Sequence, residues 1–485
     1  MNDAYNGLEP AEIWRHFDAL NGIPRGSRHE ALARQYVLQV AEGAGLSHAV
    51  DARGNTVARV PATDGRADAS PIIIQSHLDM VLNPVQSDTY DGLTDPIVPR
   101  RDGDRISASG TTLGADNGIG VATALALITT PGLEHGPLEL LFTVEEEIGL
   151  LGAAELDPTL LSGTQLINLD SEELDCITIG CAGGRTYTIE LPVAGMALPD
   201  GWIAQQVKVS GLRGGHSGIE IGNARANANK ALAGLLKNAE MAGVEFRLVE
   251  ISGGEARNAI PAAAQAIVAM AAVSLDTFKV QLDWSALELS TIWGTDEPGL
   301  FVEVATVETP ATCLDIDSYQ RVIALVEDLP TGVIAMSAEY AGKVQTSQNV
   351  ALVQTAPGLI TVGVSTRSFL EADLDAAEHE LDTAARAAGG ACVRDSGYPG
   401  WPPAGSSPLL QATTDALTQV LGRKPEIDVV HAGLECGVIA AQLPGLQAVS
   451  IGPDIRDAHR TTEHILHASV EPFWRALLLV LKNVS

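Results

Sequence analysis

The sequence is poor in basic residues and has no long apolar run. Acidic residues outnumber basic ones 61 to 30, which gives a formal net charge of −31 at neutral pH. A surface of this charge repels nucleic acid and anionic membranes, so we expect neither as a partner. The apolar runs are too short to span a bilayer, and no basic segment followed by an apolar one opens the chain. We therefore expect a cytoplasmic protein.

Cysteine is also scarce, and its positions exclude a disulfide framework. The chain has an odd, scattered set of five without a CxxC pair: Cys176, Cys181, Cys313, Cys392 and Cys436. Such a set is typical of reduced, mostly buried thiols in a reducing compartment. Cys176 and Cys181 lie close together, but two thiols without a matching pair do not favour a zinc–cysteine site.

A glycine-rich segment at residues 110–120 lacks the features of a phosphate-binding loop. It contains neither Gly-Lys-Ser/Thr nor the Rossmann glycine spacing, so we do not expect phosphate or dinucleotide binding. The glycines can instead let the backbone turn sharply, so that Asp116 points into a site. The alternative that Asp116 only caps the helix that follows remains open.

The length and the pattern of apolar residues predict more than one domain. A chain of 485 residues exceeds one ordinary core, and strand and helix patterns alternate as in an α/β fold. The pattern changes near residues 185 and 396, between which no further set of acidic strand ends occurs. We predict a first domain part at 1–184, an inserted domain at 185–396 and a second part of the first domain at 397–485.

Several predicted strands end in residues that can bind metal. Residues 71–80 read as a buried strand that ends in His77-Leu-Asp79, and residues i and i+2 of a strand share a face. Asp79 can therefore lie beside His77 and fix its tautomer. Such a pair can also be an ordinary polar strand end.

Two further apolar strands end in carboxylates. Residues 138–144 run into Glu145-Glu146-Glu147, and residues 166–169 run into Asp170. Three adjacent carboxylates repel one another and need an external charge to hold them close, although a solvated acidic face is the alternative. His459 lies in a loop before an amphipathic helix predicted from Ser469.

These groups suit a pair of transition-metal ions. Zinc takes imidazole and carboxylate ligands, and a bridging carboxylate can serve two ions. The groups divide into His77 and Asp170 for one ion and Glu147 and His459 for the other, with Asp116 shared. Two histidines favour zinc, cobalt or manganese over magnesium or calcium.

A general base must be close to the ions without being a ligand. Glu146 fits, because adjacent residues point in different directions and Glu147 is already assigned. It can take a proton from water and pass it to the leaving amine. Glu145 is then expected to be peripheral.

In this order the residues resemble the dinuclear zinc peptidase family that contains carboxypeptidases, tripeptidases, aminoacylases and aminoacyl-histidine dipeptidases. The matching motifs are His77-Leu-Asp79, Gly114-Ala-Asp116-Asn-Gly, Glu146-Glu147-x-Gly149, Asn168-Leu-Asp170 and Asp457-Ala-His459. The resemblance to the aminoacyl-histidine dipeptidase branch extends to Gly-Gly-His216-Ser-Gly, Arg257-Asn258-Ala-Ile-Pro261, Tyr398-Pro-Gly-Trp401 and His431-Ala-Gly-Leu-Glu435-Cys-Gly. It covers essentially the whole chain. Glu145 departs from the Asp that many relatives carry there.

The resemblance implies a fold and a role for each matching residue. The fold is an α/β catalytic domain with a central mixed sheet, interrupted by an inserted α+β lid domain. Five residues match the family's metal ligands: His77, Asp116, Glu147, Asp170 and His459. Glu146 matches the catalytic base, and Asp79 matches the residue that orients the first histidine. His216 matches a lid histidine that polarises the substrate carbonyl, and Asn258 and Arg367 match lid residues that hold the substrate backbone or its terminal carboxylate.

The function implied is metal-dependent hydrolysis of aminoacyl-histidine or other small dipeptides. An N-acyl amino acid deacylase or a tripeptidase would use the same chemistry on a different substrate, and the motifs do not separate them. A catalytically inactive binding protein is a third reading, which the intact Glu146 and five ligands disfavour. The resemblance also leads us to expect two divalent ions, with zinc preferred, and a homodimer.

Overall fold

The computed structural model describes residues 1–84 and 90–484 in two compact units. Unit 1 comprises residues 1–181, 401–429 and 433–485, and unit 2 comprises residues 182–400 and 430–432. Within the described ranges, no helix is long and apolar enough to cross a membrane.

Helices and strands alternate along the chain. The α-helices are α1 (Ala11–Asn21), α2 (Ala31–Gly43), α3 (Ala115–Thr129), α4 (Leu151–Ala154), α5 (Ala228–Met241), α6 (Leu275–Trp293), α7 (Ile316–Asp328), α8 (Glu371–Ala387), α9 (Pro408–Leu421), α10 (Glu435–Gln442) and α11 (Val470–Asn483). The first strands are β1 (Ser47–Val50), β2 (Thr56–Val60), β3 (Ile72–His77), β4 (Pro99–Asp102), β5 (Arg105–Ala108), β6 (Leu138–Thr143), β7 (Gln165–Asn168) and β8 (Cys176–Cys181). The middle strands are β9 (Gly183–Pro192), β10 (Gly195–Ala197), β11 (Trp202–Ser210), β12 (Gly215–His216), β13 (Arg247–Gly253), β14 (Ala259–Ile260), β15 (Ala264–Ala271), β16 (Phe301–Val307), β17 (Thr312–Leu314), β18 (Gly332–Met336), β19 (Val344–Ala356), β20 (Leu359–Ser368) and β21 (Ala391–Tyr398). The last strands are β22 (Glu426–Val430), β23 (Gln447–Ser450), β24 (Ile455–Arg456) and β25 (His464–Leu466).

An eight-stranded mixed sheet forms the centre of unit 1. Its strand order is β1-β2-β6-β3-β7-β23-β8-β22. The central strands β6, β3, β7 and β23 are parallel, whereas β1, β2 and β8 pair antiparallel with their neighbours. This sheet confirms the predicted α/β class with a mixed sheet.

The register of the parallel strands sets which loops meet. His77, the last residue of β3, pairs with Thr143, the last residue of β6, and Gln75 pairs with Asn168 at the end of β7. Both faces of β3 and β6 are buried, which suits their β-branched and aromatic runs. The segments that follow these three strands therefore emerge at one edge of the sheet.

Unit 2 contains a nine-stranded antiparallel sheet. Its order is β16-β11-β15-β13-β19-β20-β9-β21, with β18 also paired to β19. One continuous apolar core lies between this sheet and its helices and includes Tyr187, Leu232, Phe278 and Val326. The strand β16 lies at an edge of the sheet and pairs with β11.

The local predictions agree with the structure apart from several boundaries. The amphipathic helix predicted from Ser469 is confirmed as α11, which begins at Val470. All five cysteines lie within the described ranges, none of them forms a disulfide bond there, and four are buried. The strand prediction at residues 71–80 was too long, because β3 ends at His77 and Asp79 lies beyond it. His216 lies in the short strand β12.

Candidate metal centre

The five side chains of metal-ligand type meet at one edge of the unit 1 sheet. His77 ends β3, and Glu147 and Asp170 follow β6 and β7. Asp116 lies in the first turn of α3, and His459 lies in the loop between β24 and β25. Five segments that are distant in sequence thus contribute to one cluster.

Asp116 lies at the centre of this cluster. Its Oδ1 is 3.1 Å from His77 Nε2, and its Oδ2 is 3.0 Å from His459 Nε2. Asp170 Oδ1 lies 3.3 Å from the same His77 nitrogen, and Glu147 Oε2 lies 2.9 Å from the same His459 nitrogen. The side chains therefore form two sets that could hold a metal ion, and Asp116 belongs to both.

Two buried carboxylate oxygens in the cluster make no hydrogen bond to any residue that the structure describes. They are Glu147 Oε1 and Asp170 Oδ1; the latter is near His77 but outside normal hydrogen-bond geometry. A buried acceptor without a partner is costly unless a donor or a cation satisfies it. Asp170 belongs to one donor set and Glu147 to the other, so the residues fit bound cations.

The electrostatics of the cluster point the same way. Burial raises the pKa of Glu147 to about 7, with the neighbouring Asp116 adding to the shift. Burial likewise raises the pKa of Asp170 to about 6. Burial disfavours a charged His459, but Asp116 and Glu147 outweigh it and raise its pKa to about 11. Positive charge at this position is therefore strongly favoured.

Asp79 makes more contacts than the single contact with His77 that was predicted for it on the same strand face. Its carbonyl oxygen lies 3.1 Å from His77 Nδ1, and its Oδ1 lies 3.5 Å from the same nitrogen. The carboxylate also accepts hydrogen bonds from the backbone of Glu146 and Glu147 and from the Ser27 hydroxyl. Because β3 ends at His77, the backbone carbonyl of Asp79 is a nearer acceptor for the imidazole than its carboxylate. The Asp79 carboxylate instead holds the backbone of Glu146 and Glu147.

Glu146 and Glu145 point in different directions. Glu146 lies with His77 and Glu147 in a third group of potential metal-binding atoms, so its side chain faces the cluster. Burial raises its pKa well above the ordinary value, and the charges of Glu147 and Asp170 add to this effect. Glu145 adopts a positive φ of 52° and pairs with Arg53 at 2.6 Å.

The three remaining predicted site residues, His216, Asn258 and Arg367, all belong to unit 2. Backbone N–H groups of Gly218 and Ile219 donate to His216 Nδ1, both at 3.2 Å. The Asn258 carbonyl accepts a hydrogen bond from Ser217, next to the β12–β14 pair. Arg367, on β20, donates to the Tyr398 hydroxyl at 2.5 Å.

His216 and Arg367 approach each other at Gly218. A Cβ atom at Gly218 would lie 2.6 Å from the His431 carbonyl, 3.0 Å from the His216 ring and 3.2 Å from Arg367 Nε. Only glycine leaves this space open. His431 itself bonds Ser347 at 2.8 Å, and burial together with Arg367 lowers its pKa to about 4.

Four charged residues that surround the candidate metal ligands had no role predicted from the sequence. Arg25, Glu435 and Glu463 are almost completely buried, and Glu172 is partly so. Glu435 accepts hydrogen bonds from Gln75 and Thr143, and burial raises its pKa to about 7. Two of these four residues could have been found by their proximity in sequence to predicted ligands, since Glu172 follows Asp170 by two positions and Glu463 follows His459 by four.

Comparisons with known proteins identify relatives of this chain. Residues 73–483 match the model of "Peptidase family M20/M25/M40". The chain is 36% identical over 478 residues to the cytosol non-specific dipeptidase of Escherichia coli, which covers 98% of both chains. It is also 36% identical to the crystal structure of an aminoacylhistidine dipeptidase from Vibrio alginolyticus, with a TM-score of 0.85 over 99% of this chain and 98% of that one.

A more distant structure shares the fold. A tripeptidase from Staphylococcus aureus aligns over 98% of this chain and 99% of its own with a TM-score of 0.61, at 14% identity. The family model covers most of the chain, and the E. coli relative matches it nearly end to end, which confirms the resemblance drawn from the motifs. The chain belongs to peptidase family M20/M25/M40.

Proposed function

We propose that this peptidase is a cytoplasmic dipeptidase that uses two transition-metal ions and accepts aminoacyl-histidine and other small dipeptides. The relatives of 36% identity carry the names of a non-specific dipeptidase and an aminoacylhistidine dipeptidase, and each matches this chain over nearly its full length. We base the proposed substrate class of this chain on the names of these two relatives.

The observation that carries the proposal is the position of Asp116. One of its carboxylate oxygens faces His77 and the other faces His459, at nearly equal distances. A carboxylate that divides its oxygens between two imidazole-containing sets is what a two-metal site requires. A solvated acidic face would not leave buried carboxylate oxygens of Glu147 and Asp170 unpaired.

The proposal keeps the division of residues between two ions that the sequence analysis expected. His77, Asp170 and Asp116 would hold one ion, and Asp116, Glu147 and His459 would hold the other. One nitrogen in each set favours zinc, with cobalt or manganese as alternatives. When bound, such a pair of ions lowers the pKa of a water molecule and polarises a carbonyl group.

Glu146 is the proposed general base. Its side chain faces the cluster, and its backbone is fixed by the hydrogen bond to Asp79. It takes a proton from the attacking water and delivers it to the amine that leaves. Asp79 keeps the His77 ring in one tautomer by accepting from Nδ1, which leaves Nε2 directed at the metal-binding groups.

Unit 2 is the proposed lid and supplies substrate contacts. Two backbone N–H groups donate to His216 Nδ1, so the neutral ring carries its proton on Nε2 and can donate to a substrate carbonyl. Arg367, braced by Tyr398, suits the terminal carboxylate of a dipeptide. Asn258 is proposed to hold the substrate backbone. We assign the predicted insertion at 185–396 to unit 2, which comprises residues 182–400 and 430–432.

We include a homodimer in the proposal. Val280, Trp284 and Leu287 form one exposed face of α6, and Phe301 is exposed on the edge strand β16. An exposed apolar stripe beside an unprotected strand edge favours association with another protein surface. A second copy of the chain presents the same face and can cover it with two-fold symmetry.

A dipeptide panel tests the proposed activity. The metal-depleted protein is assayed with zinc, cobalt or manganese on β-alanyl-histidine, other histidine dipeptides and dipeptides without histidine. We expect hydrolysis that chelator abolishes and added metal restores. Undiminished hydrolysis after metal removal would contradict the mechanism.

The same panel separates the alternatives. A tripeptide and an N-acetyl amino acid are included as comparison substrates. Faster hydrolysis of the N-acetyl amino acid would favour a deacylase, and faster hydrolysis of the tripeptide would favour a tripeptidase. No turnover of any substrate by the metal-loaded protein would favour an inactive binding protein.

A further inference from the structure

The loop at residues 113–116, which carries Asp116, is held by one buried carboxylate. Glu463 is 2% exposed, and its two oxygens accept hydrogen bonds from four consecutive backbone N–H groups. The N–H groups of Leu113 and Gly114 lie 2.7 and 2.9 Å from Oε2, and those of Ala115 and Asp116 lie 2.8 and 3.3 Å from Oε1. The backbone N–H groups of this loop therefore bind the Glu463 carboxylate as such groups bind an anion.

A buried cation holds the same loop from its carbonyl side. Arg25 is 1% exposed, and its Nη2 donates to the Gly114 carbonyl at 2.5 Å. Its Nη1 reaches the carbonyls of Leu78 and Asp79, both at 3.4 Å, which follow β3. Gly114 has a φ of 67°, and a Cβ there would lie 2.5 Å from Arg25. The loop is thus fixed on both sides by charges of opposite sign.

Glu463 also belongs to the segment that carries His459. The backbone N–H of Arg460 donates to Asp457, and that of Glu463 donates to Arg460, so residues 457–463 form a continuous turn. Asp457 and His459 both have positive φ values, of 57° and 65°. Non-glycine residues keep such conformations only when the surrounding structure holds them. The carboxylate of Glu463 joins this turn to the backbone of the Asp116 loop.

We propose that Glu463 is a positioning residue that holds the shared ligand Asp116 and the ligand His459 at the separation required for two metal ions. The inference rests on the proposed metal-dependent function. Glu463 does not touch the metal-binding atoms itself; it acts through the backbone of one ligand and through the turn that carries the other.

A matched carboxylate exists at the opposite end of the sheet. Glu139, near the start of β6, is 4% exposed and accepts hydrogen bonds from the Ser162 and Gly163 N–H groups and from the Ser162 hydroxyl. It fixes backbone as Glu463 does, but it lies at the end of the strand away from the metal-binding residues. Loss of either carboxylate leaves buried donors unpaired and destabilises the fold. Only loss of Glu463 should change metal binding.

The test compares Glu463→Gln with Glu139→Gln in the full chain. An amide side chain of the same size cannot accept from four N–H groups, because its NH₂ group is itself a donor. Metal-free proteins are titrated with Zn²⁺ and with Co²⁺ by calorimetry, and their thermal stability is measured in parallel. Removing residues that hold ligands typically costs about 10–100-fold in metal affinity. We expect a loss of that size for Glu463→Gln and a change below about threefold for Glu139→Gln.

Hydrolysis as a function of Zn²⁺ concentration gives a second readout. The concentration for half-maximal rate should rise at least tenfold in Glu463→Gln and remain near the wild-type value in Glu139→Gln. If Glu463→Gln does not fold, Glu463→Asp is compared with Glu139→Asp, and a selective loss of metal affinity is again expected. Metal affinity equal to wild type in the Glu463 variant, or an equal loss in both variants, would overturn the inference. A wild-type protein that binds no metal would instead overturn the proposed function.

Discussion

Replacing Glu146 with Gln is the most direct test of the proposed chemistry, because it changes one atom of the cluster and keeps its backbone contacts. The Glu146 N–H donates to Asp79 at 3.0 Å through the main chain, so the substitution leaves that bond in place. Both donor sets around Asp116 also remain complete. The metal content of Glu146→Gln should therefore equal that of the wild type.

The expected kinetic effect is large. A positioned general base typically contributes about 10²–10⁴-fold to the rate, which corresponds to about 3–5.5 kcal/mol of transition-state stabilisation. We expect turnover to fall by at least that factor, with a smaller effect on KM. The control is Glu145→Gln, which loses only a partly exposed pair with Arg53. That pair is worth about 0–1 kcal/mol of stability, and turnover should stay within about threefold of wild type.

The metal-free forms of the same variants test the electrostatics. Burial raises the pKa of Glu146, so the folded chain binds a proton more tightly than the unfolded chain. The stability that this proton contributes is present below the ordinary pKa of 4.5 and is lost as the pH rises through the raised value. Relative to metal-free wild type, Glu146→Gln should therefore gain stability towards neutral pH.

The assay combines turnover of a dipeptide, metal content and the thermal midpoint with and without metal. Turnover by Glu146→Gln within tenfold of wild type, at equal metal content, would refute the assignment of Glu146 as the base. Loss of metal together with activity would instead assign Glu146 to the ligands, as the third group of potential metal-binding atoms permits.

Three further predictions concern other parts of the molecule. Burial lowers the pKa of His16 to about 4, so the stability that its neutral ring contributes should be present above pH 6.5 and should have fallen by about 2 kcal/mol at pH 5. Thermal midpoints of His16→Gln should therefore fall less than those of wild type between pH 7 and 5, and equal falls would contradict this. His216→Ala should lower turnover by at least about tenfold without loss of metal, since its ring belongs to unit 2, and an unchanged rate would remove its role. Trp284 is 62% exposed and should lie in the dimer interface, so light scattering should give a single chain mass for Trp284→Glu. It should give twice the chain mass for wild type and for Met241→Glu, a control at another exposed residue, and a monomeric wild type would contradict the dimer.

The strand ends were predictable from the sequence because two patterns coincide there. An apolar, β-branched run such as residues 72–74 marks a buried strand, and a residue of metal-ligand type a few positions later marks its end. Parallel strands bring their C-terminal ends to one edge, so His77, Glu147 and Asp170 could be expected near one another. The fold class followed from the same alternation of strands and helices.

The residues that hold the ligands were not predictable in the same way. Glu463 and Arg25 act on backbone groups, and a backbone N–H or carbonyl has no signature in the sequence. Asp79 was predicted beside His77, but its contacts with the Glu146–Glu147 turn depend on where β3 ends. Such contacts become visible only when the chain segments are placed in three dimensions.

The two kinds of ligand in this centre should therefore differ in what fixes them. His77 takes its position from the register of β3 with β6 and β7, which many backbone hydrogen bonds maintain. Asp116 and His459 lie outside any strand, and His459 is half exposed on a turn with positive φ angles. Their separation depends on a few buried contacts, chiefly the carboxylate of Glu463. Of the two ions proposed, the one assigned to Asp116, Glu147 and His459 should thus be the more easily lost, whereas the one assigned to His77 and Asp170 would gain the rigidity of the sheet.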